Sequence, residues 1–181
     1  MIKKMITHLH RYVLIGKRFF YGSLGEKELI SKVMCSHDVE DLLCFFGEEN
    51  TVDTRKRYSH SLEDIDGFCL GVYLHDQLAA VVWLGEQWQH FGIGGHWLGG
   101  IKVLPRLRCR GIGRYATKEA ILEGRQRNIS EFYVNVRYDN TPSLKLLEAL
   151  RFQKVHDAQW QQKLDTYYKV RQVILVFRRE A

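Results

Sequence analysis

The apolar positions of this chain change their spacing from one segment to the next, and each change marks an element. Leu29 to Met34 reads as a strand. Ser36 or Asp38 then caps a helix in which Val39, Leu42, Leu43 and Phe46 recur every three or four residues, and Gly47 stops it. A polar segment around Arg55, Lys56 and Arg57 predicts a second short helix. Gly67–Leu74 and Gln77–Leu84 read as strands joined by a hairpin turn at His75-Asp76. A glycine-rich loop feeds a further strand from about His96 to Leu104, and Gly99 and Gly100 within it predict a bulge or the close approach of a ligand. The next helix runs from Gly111 to about Arg127, with Ile112, Ala116 and Ala120 on one face. Glu131 to Tyr138 alternates, and the helix before it makes it parallel to the preceding strand. Thr141 caps a helix with Pro142 at its first position. Phe152 to Val155, a polar excursion, and a last strand from Val170 to Phe177 complete the chain.

Residues 1 to 28 read as an appendage to this body and admit two patterns. Ile2, Met5, Ile6, Leu9 and Val13 suit an amphipathic helix, whereas Tyr12–Ile15 and Arg18–Tyr21 around Gly16-Lys17 suit a hairpin. An arm for a homodimer is one use for such a segment. His8-x-His10 lacks a third ligand, so no metal site is read there.

The length of 181 residues suits one domain, and no linker or repeat divides it. No apolar run is long enough to span a bilayer, and the N-terminal apolar run is broken by Thr7, His8 and His10, so neither a membrane partner nor a secretory signal is expected. Cys35, Cys44, Cys69 and Cys109 are scattered and fit a reducing cytoplasm better than a disulfide or zinc framework. Charge is unevenly placed. Lys102–Arg127 holds eight lysines or arginines and two glutamates, while Leu29–Ile101 holds four basic and eleven acidic side chains. A nucleic-acid partner would call for a broad basic face, and a local basic patch argues against one.

That patch centres on Val103-Leu-Pro-Arg-Leu-Arg-Cys-Arg-Gly-Ile-Gly113. Pro105 stops the strand, because proline cannot donate to a ladder. Gly111 and Gly113 then open a helix whose first N–H groups lack internal partners and carry the positive end of the dipole. A phosphate fits such a terminus, and Arg106, Arg108, Arg110 and Arg114 add guanidiniums suited to it. The stretch reads as a pyrophosphate cradle. Gly111-x-Gly113-x-x-Ala116 also fits a dinucleotide fingerprint, but that fingerprint needs its first glycine tight against the strand and a set of parallel repeats. Neither is present.

Arg108-x-x-Gly111-x-Gly113 resembles the acyl-CoA signature of the GNAT acetyltransferases, Q/R-x-x-G-x-G/A. Asn140-x-x-Ser143, followed by Leu146, Leu147, Leu150 and Phe152, resembles that family's last motif. The resemblance is specific over about residues 97 to 155. It implies a single-domain α/β fold with a mixed, mainly antiparallel sheet flanked by helices, and a splayed parallel strand pair that binds acyl-CoA. It further implies acetyl-CoA as co-substrate. Ile101, Lys102 and Val103 would hold its pantetheine arm, and Arg108, Cys109, Arg110, Gly111, Ile112, Gly113 and Arg114 its pyrophosphate, with Asn140 and Ser143 close by. Two departures stand out: the family's frequent tyrosine is Leu147 here, and its usual glycine is Arg151.

Acyl transfer to an amine needs the amine neutral, and for a lysine-like amine that costs roughly 4.6 kcal/mol at pH 7. His96 is the first choice for a base, with Glu86 and His90 behind it. A backbone N–H near Lys102 or Val103 could meet the oxyanion. With Leu147 in the tyrosine's place, Tyr138 and Tyr168 are the substitutes for protonating the thiolate, and water is the alternative because an alkyl thiol of pKa about 8.5 is a tolerable leaving group. Cys109 is a spectator because no covalent intermediate is needed. Ser36 to Asp66 carries nine carboxylates against three basic side chains, which predicts a cationic small-molecule or peptide acceptor. A non-catalytic acyl-CoA-binding regulatory module is the alternative reading.

Overall fold

The computed structural model describes residues 18–19, 28–63, 67–86 and 88–178, so most of the reading for residues 1 to 28 lies outside it. One mixed sheet runs through these residues. Its strands are β1 (Arg18–Phe19), β2 (Glu28–Val33), β3 (Gly67–Leu74), β4 (Gln77–Gly85), β5 (His96–Val103), β6 (Glu131–Arg137), β7 (Gln153–Lys154) and β8 (Gln172–Arg178). They lie in the order β1-β2-β3-β4-β5-β6-β8-β7. Every neighbouring pair is antiparallel except β5 with β6. The β3–β4 hairpin turns through His75 and Asp76, at φ 48° and 62°, the left-handed pair that a tight two-residue turn requires.

The helices are α1 (Val39–Phe46), α2 (Val52–Glu63), α3 (Ile112–Gln126), α4 (Thr141–Ala149) and α5 (Ala158–Tyr168). α1 follows a 3-10 turn over Ser36–Asp38 and buries Val39, Leu42, Leu43 and Phe45. It ends where Gly47 takes φ 68° and the Glu48 N–H reaches back to Leu43 O. α5 occupies the segment read as a polar excursion. Asp157 caps it by accepting from the Gln159 and Trp160 N–H groups, both at 2.9 Å.

Alternation along β4 sorts these helices between the two faces. Val82 and Leu84 join the larger core, with Leu98, Phe132 and Val134, under α3 and α4. Val81 and Trp83 face the other way, toward α1 and α2. Farther along that second face, Trp97, Tyr133 and Ile174 pack against Leu164 of α5. One face is therefore continuous. The other has two separate clusters, and β5 runs between them.

Candidate active site

β5 and β6 pair only at His96–Phe132 and Trp97–Tyr133. Beyond Trp97 the strands part, and β5 leans onto β4 with a bulge. Val81 faces Lys102 but Trp83 faces Gly99, so β5 spends one more residue than β4 over that interval. Gly100 takes φ 56° there, and a Cβ on it would stand 2.7 Å from Trp83 Cδ1. Only glycine fits both the backbone angle and the indole above it.

The direction of the backbone groups follows from one bond. The Leu104 N–H donates to Ala79 O at 3.0 Å, which turns Leu104 toward β4. Strand alternation turns Val103 and Ile101 the other way, into the gap left by β6, and returns Lys102 to β4. This corrects the expectation for Lys102: its main chain is committed to β4, opposite Val81, and its Nζ lies 4.3 Å from the Phe46 ring centroid. Val103 O already accepts from Arg108 Nε at 3.2 Å.

At the head of the gap, Pro105–Leu107 makes a 3-10 turn pinned by buried Leu107. Cys109 and Gly111 then take φ 58° and 81°. Gly111 caps α3 without a side-chain bond, which leaves the first N–H groups of this 15-residue helix without a side-chain acceptor among the described residues. Arg106, Arg108, Arg110, Arg114 and Cys109 are exposed around this end, whereas Ile112 is buried and can offer only its N–H. Gly113 lies between Val103 and Leu146, at 3.5 and 3.7 Å from a Cβ placed on it. Asn140, rather than Thr141, caps α4: its side chain accepts from the Ser143 N–H, and Pro142 takes the second helical position.

A profile of the acetyltransferase (GNAT) family matches residues 37–152. The chain belongs to the GNAT acetyltransferase family. Acetyl-CoA is that family's co-substrate, and its mixed-sheet fold likewise carries one parallel strand pair. Among solved GNAT structures, the GNAT domain of S. lividans PAT is 15% identical, with TM-score 0.66 over 93% of this chain and 99% of that one. The yncA protein of Salmonella typhimurium, solved with its cofactor acetyl-CoA, is 14% identical, with TM-score 0.60 over 83% and 93%. The ribosomal-protein-S18-alanine N-acetyltransferase of Escherichia coli is 14% identical, with TM-score 0.57 over 82% and 90%. No curated protein matches this chain.

The structure does not bring the two proton-transfer candidates of this GNAT chain together. His96 opposes Phe132 at the start of β6, and Tyr138 follows the end of that strand. Six residues of strand separate those levels, about 20 Å. His96 also shares the parity of Leu98, which faces α3, and its Nε2 stands 3.6 Å from Oε1 of Glu86, the residue after β4. Tyr138 is 55% exposed, and Tyr168 packs edge-on against Trp88. The family's tyrosine position, Leu147, is buried in the core under α4.

The acidic wall is more internally paired than its sequence suggests. Glu48 meets Arg57 and accepts from Tyr58 OH. Burial and that carboxylate together push the Tyr58 phenol up to about 12. Glu40 pairs with Arg55 at 2.8 Å, and Asp41 accepts from Tyr73 OH at 2.7 Å. Burial opposes ionisation of Asp38, yet Lys32 and the Cys35 N–H outweigh it and hold this carboxyl below its usual range. Glu49, Asp53 and Glu63 remain exposed, with no ion-pair partner among the described residues. Among the described residues no cluster of three or more His, Cys, Asp or Glu could hold a metal ion, and no helix is long and apolar enough to cross a membrane.

Proposed function

We propose that this chain moves the acetyl group of acetyl-CoA to a primary amine of a cationic acceptor. The observation that carries this reading is the alignment of two features. An arginine-ringed helix terminus with no side-chain cap stands at the open end of a gap where β5 has no ladder partner on β6. The pyrophosphate rests on the N–H groups of Ile112, Gly113 and Arg114, with Arg108, Cys109, Arg110 and Gly111 around it. The pantetheine arm runs down β5 past Val103 and Ile101, close to Asn140 and Ser143 at its upper end. The Ile101 N–H is the donor for the oxyanion.

The face under α3 is filled, so the amine comes from the other face, between the α1–α2 and α5 clusters. Its nitrogen bonds to the thioester carbonyl carbon, the carbon–sulfur bond breaks, and CoA leaves as a thiolate. The amine's proton goes to water on that open face. His96 sits on the covered face and is not the base in this scheme, and Tyr138 is too far from the closed end of the gap to be the acid. An alkyl thiol of pKa about 8.5 leaves without a dedicated acid.

Glu49, Asp53 and Glu63 support a cationic acceptor, whose local concentration they would raise. The test is thiol release from acetyl-CoA with spermidine, kanamycin and basic peptides, repeated across salt. The reading expects release whose acceptor KM rises with ionic strength, since exposed charges are screened beyond about 10 Å at 0.1 M. A preferred acceptor that is anionic or uncharged refutes the cationic part. Buried Leu147 favours a second reading, an acyl-CoA-binding regulatory module, and tight acetyl-CoA binding without thiol release to any amine would select it.

A further inference from the structure

We propose that Asn135 is the hydrogen-bond acceptor that holds the acceptor's amine over the thioester. The proposal rests on the transferase reading above. Asn135 lies on β6 two residues beyond Tyr133, the last residue paired to β5. It shares the parity of Tyr133, which places it on the open face at the mouth of the gap.

A chain of bonds from α5 fixes which limb of its amide faces where. Asp165 accepts from the Gln172 N–H at 2.6 Å and from Gln161 Nε2 at 2.7 Å. Gln161 Nε2 also donates to Gln172 O at 2.7 Å. The Gln172 side chain is 2% exposed, and one of its limbs faces Val170 O at 3.0 Å. A carbonyl can only accept, so that limb is Nε2. The other limb is then Oε1, and Asn135 must donate to it through Nδ2, at 3.2 Å. Nδ2 is thereby turned toward β8. The planar amide leaves Oδ1 on the side where β5 has departed, with no partner among the described residues.

The network ties Asn135 Nδ2 to β8 through buried Gln172. Half-buried Asn135 keeps a carbonyl oxygen beside the gap with no partner among the described residues. That oxygen can only accept, so its ligand must donate, and the incoming amine is the donor. A neutral amide oxygen suits a neutral amine. A carboxylate in its place would hold the ammonium form and oppose attack.

The test joins kinetics to a binding signal that needs no turnover. Asn135→Leu removes the oxygen at similar volume. With spermidine and kanamycin as probes, it should raise the acceptor KM roughly tenfold. The acetyl-CoA KM and the acetyl-CoA-induced rise in Tm should not change. In 15N-labelled protein with CoA bound, the side-chain amide resonance of Asn135 should move saturably as spermidine is added. An unchanged acceptor KM in Asn135→Leu overturns the proposal. So does a resonance that moves with CoA and not with the amine, which would assign the oxygen to the pantetheine arm. If the wild type releases no thiol with any amine yet the resonance still follows spermidine, the transferase reading fails and the amine site stands. Silence in both measurements overturns both.

Discussion

Replacing Gly100 by alanine loads the bulge of β5 in two separable ways. The new Cβ must sit at φ 56°, and a left-handed conformation costs a non-glycine residue about 1–2 kcal/mol. It must also displace the Trp83 ring, whose Cδ1 would stand at 2.7 Å. Overpacking of that kind costs about 1–3 kcal/mol, and the lower end applies because Trp83 is only half-buried and its indole can give way. The sum, about 2–3 kcal/mol, is a large share of a typical stability of roughly 5–15 kcal/mol. Urea unfolding is the assay. With a slope of about 1–3 kcal/mol per molar, the midpoint should fall by about 1 M. Repeating the change in a Trp83→Leu background should recover the steric part and leave the backbone part, as a double-mutant cycle reads it. A midpoint unmoved by Gly100→Ala, or a cost identical in both backgrounds, would refute this account of the bulge.

Gly113→Asp has room for its Cβ and places a carboxylate in the first turn of α3, so Tm should hold or rise slightly while the acetyl-CoA-induced shift disappears. A variant that still responds to acetyl-CoA would move the pyrophosphate elsewhere. Without a protein base, log kcat/KM for the acceptor should climb with unit slope from pH 7 toward the amine's own pKa, and His96→Ala should change it less than about threefold. A fall of about tenfold or more in His96→Ala would restore that residue as the base. Asp38 is held below its ordinary value of 3.8, so its contribution to stability is complete above that pH and fades as pH falls through the lower folded value. Asp38→Asn should therefore flatten the acid limb of a stability–pH curve, and an unchanged limb would show that the Lys32 pairing contributes nothing there.

Much of the architecture was legible because its signals are local. His75-Asp76 sits between two apolar runs, Gly99-Gly100 interrupts a strand, and Pro105 and Gly111 mark a strand end and a helix start within a few residues of each other. α5 was not legible: Leu164 is its single buried residue, too few to set a period against a polar background. Thr141 and Asn140 are adjacent and both can cap, so only the backbone decides between them. The parity of His96 with Leu98 was readable, but which face α3 would cover was not. Asn135 was missed because its meaning depends on Gln172, 37 residues away, and on Asp165 beyond it.

The short pairing of β5 with β6 gives the sheet an unpaired edge in its interior. An edge at the rim of a sheet invites addition of a strand, and proteins guard such rims. This one is guarded by position, because only something as narrow as an extended chain can enter between two strands already anchored at one end. The amides of Ile101 and Val103 should then exchange with solvent hydrogen as quickly as those of a peripheral loop, although residues on both sides belong to the core. An acyl-pantetheine lying in the gap would fill the place of the missing strand. It would slow exchange at those two amides and bind the two halves of the sheet into one cooperative unit.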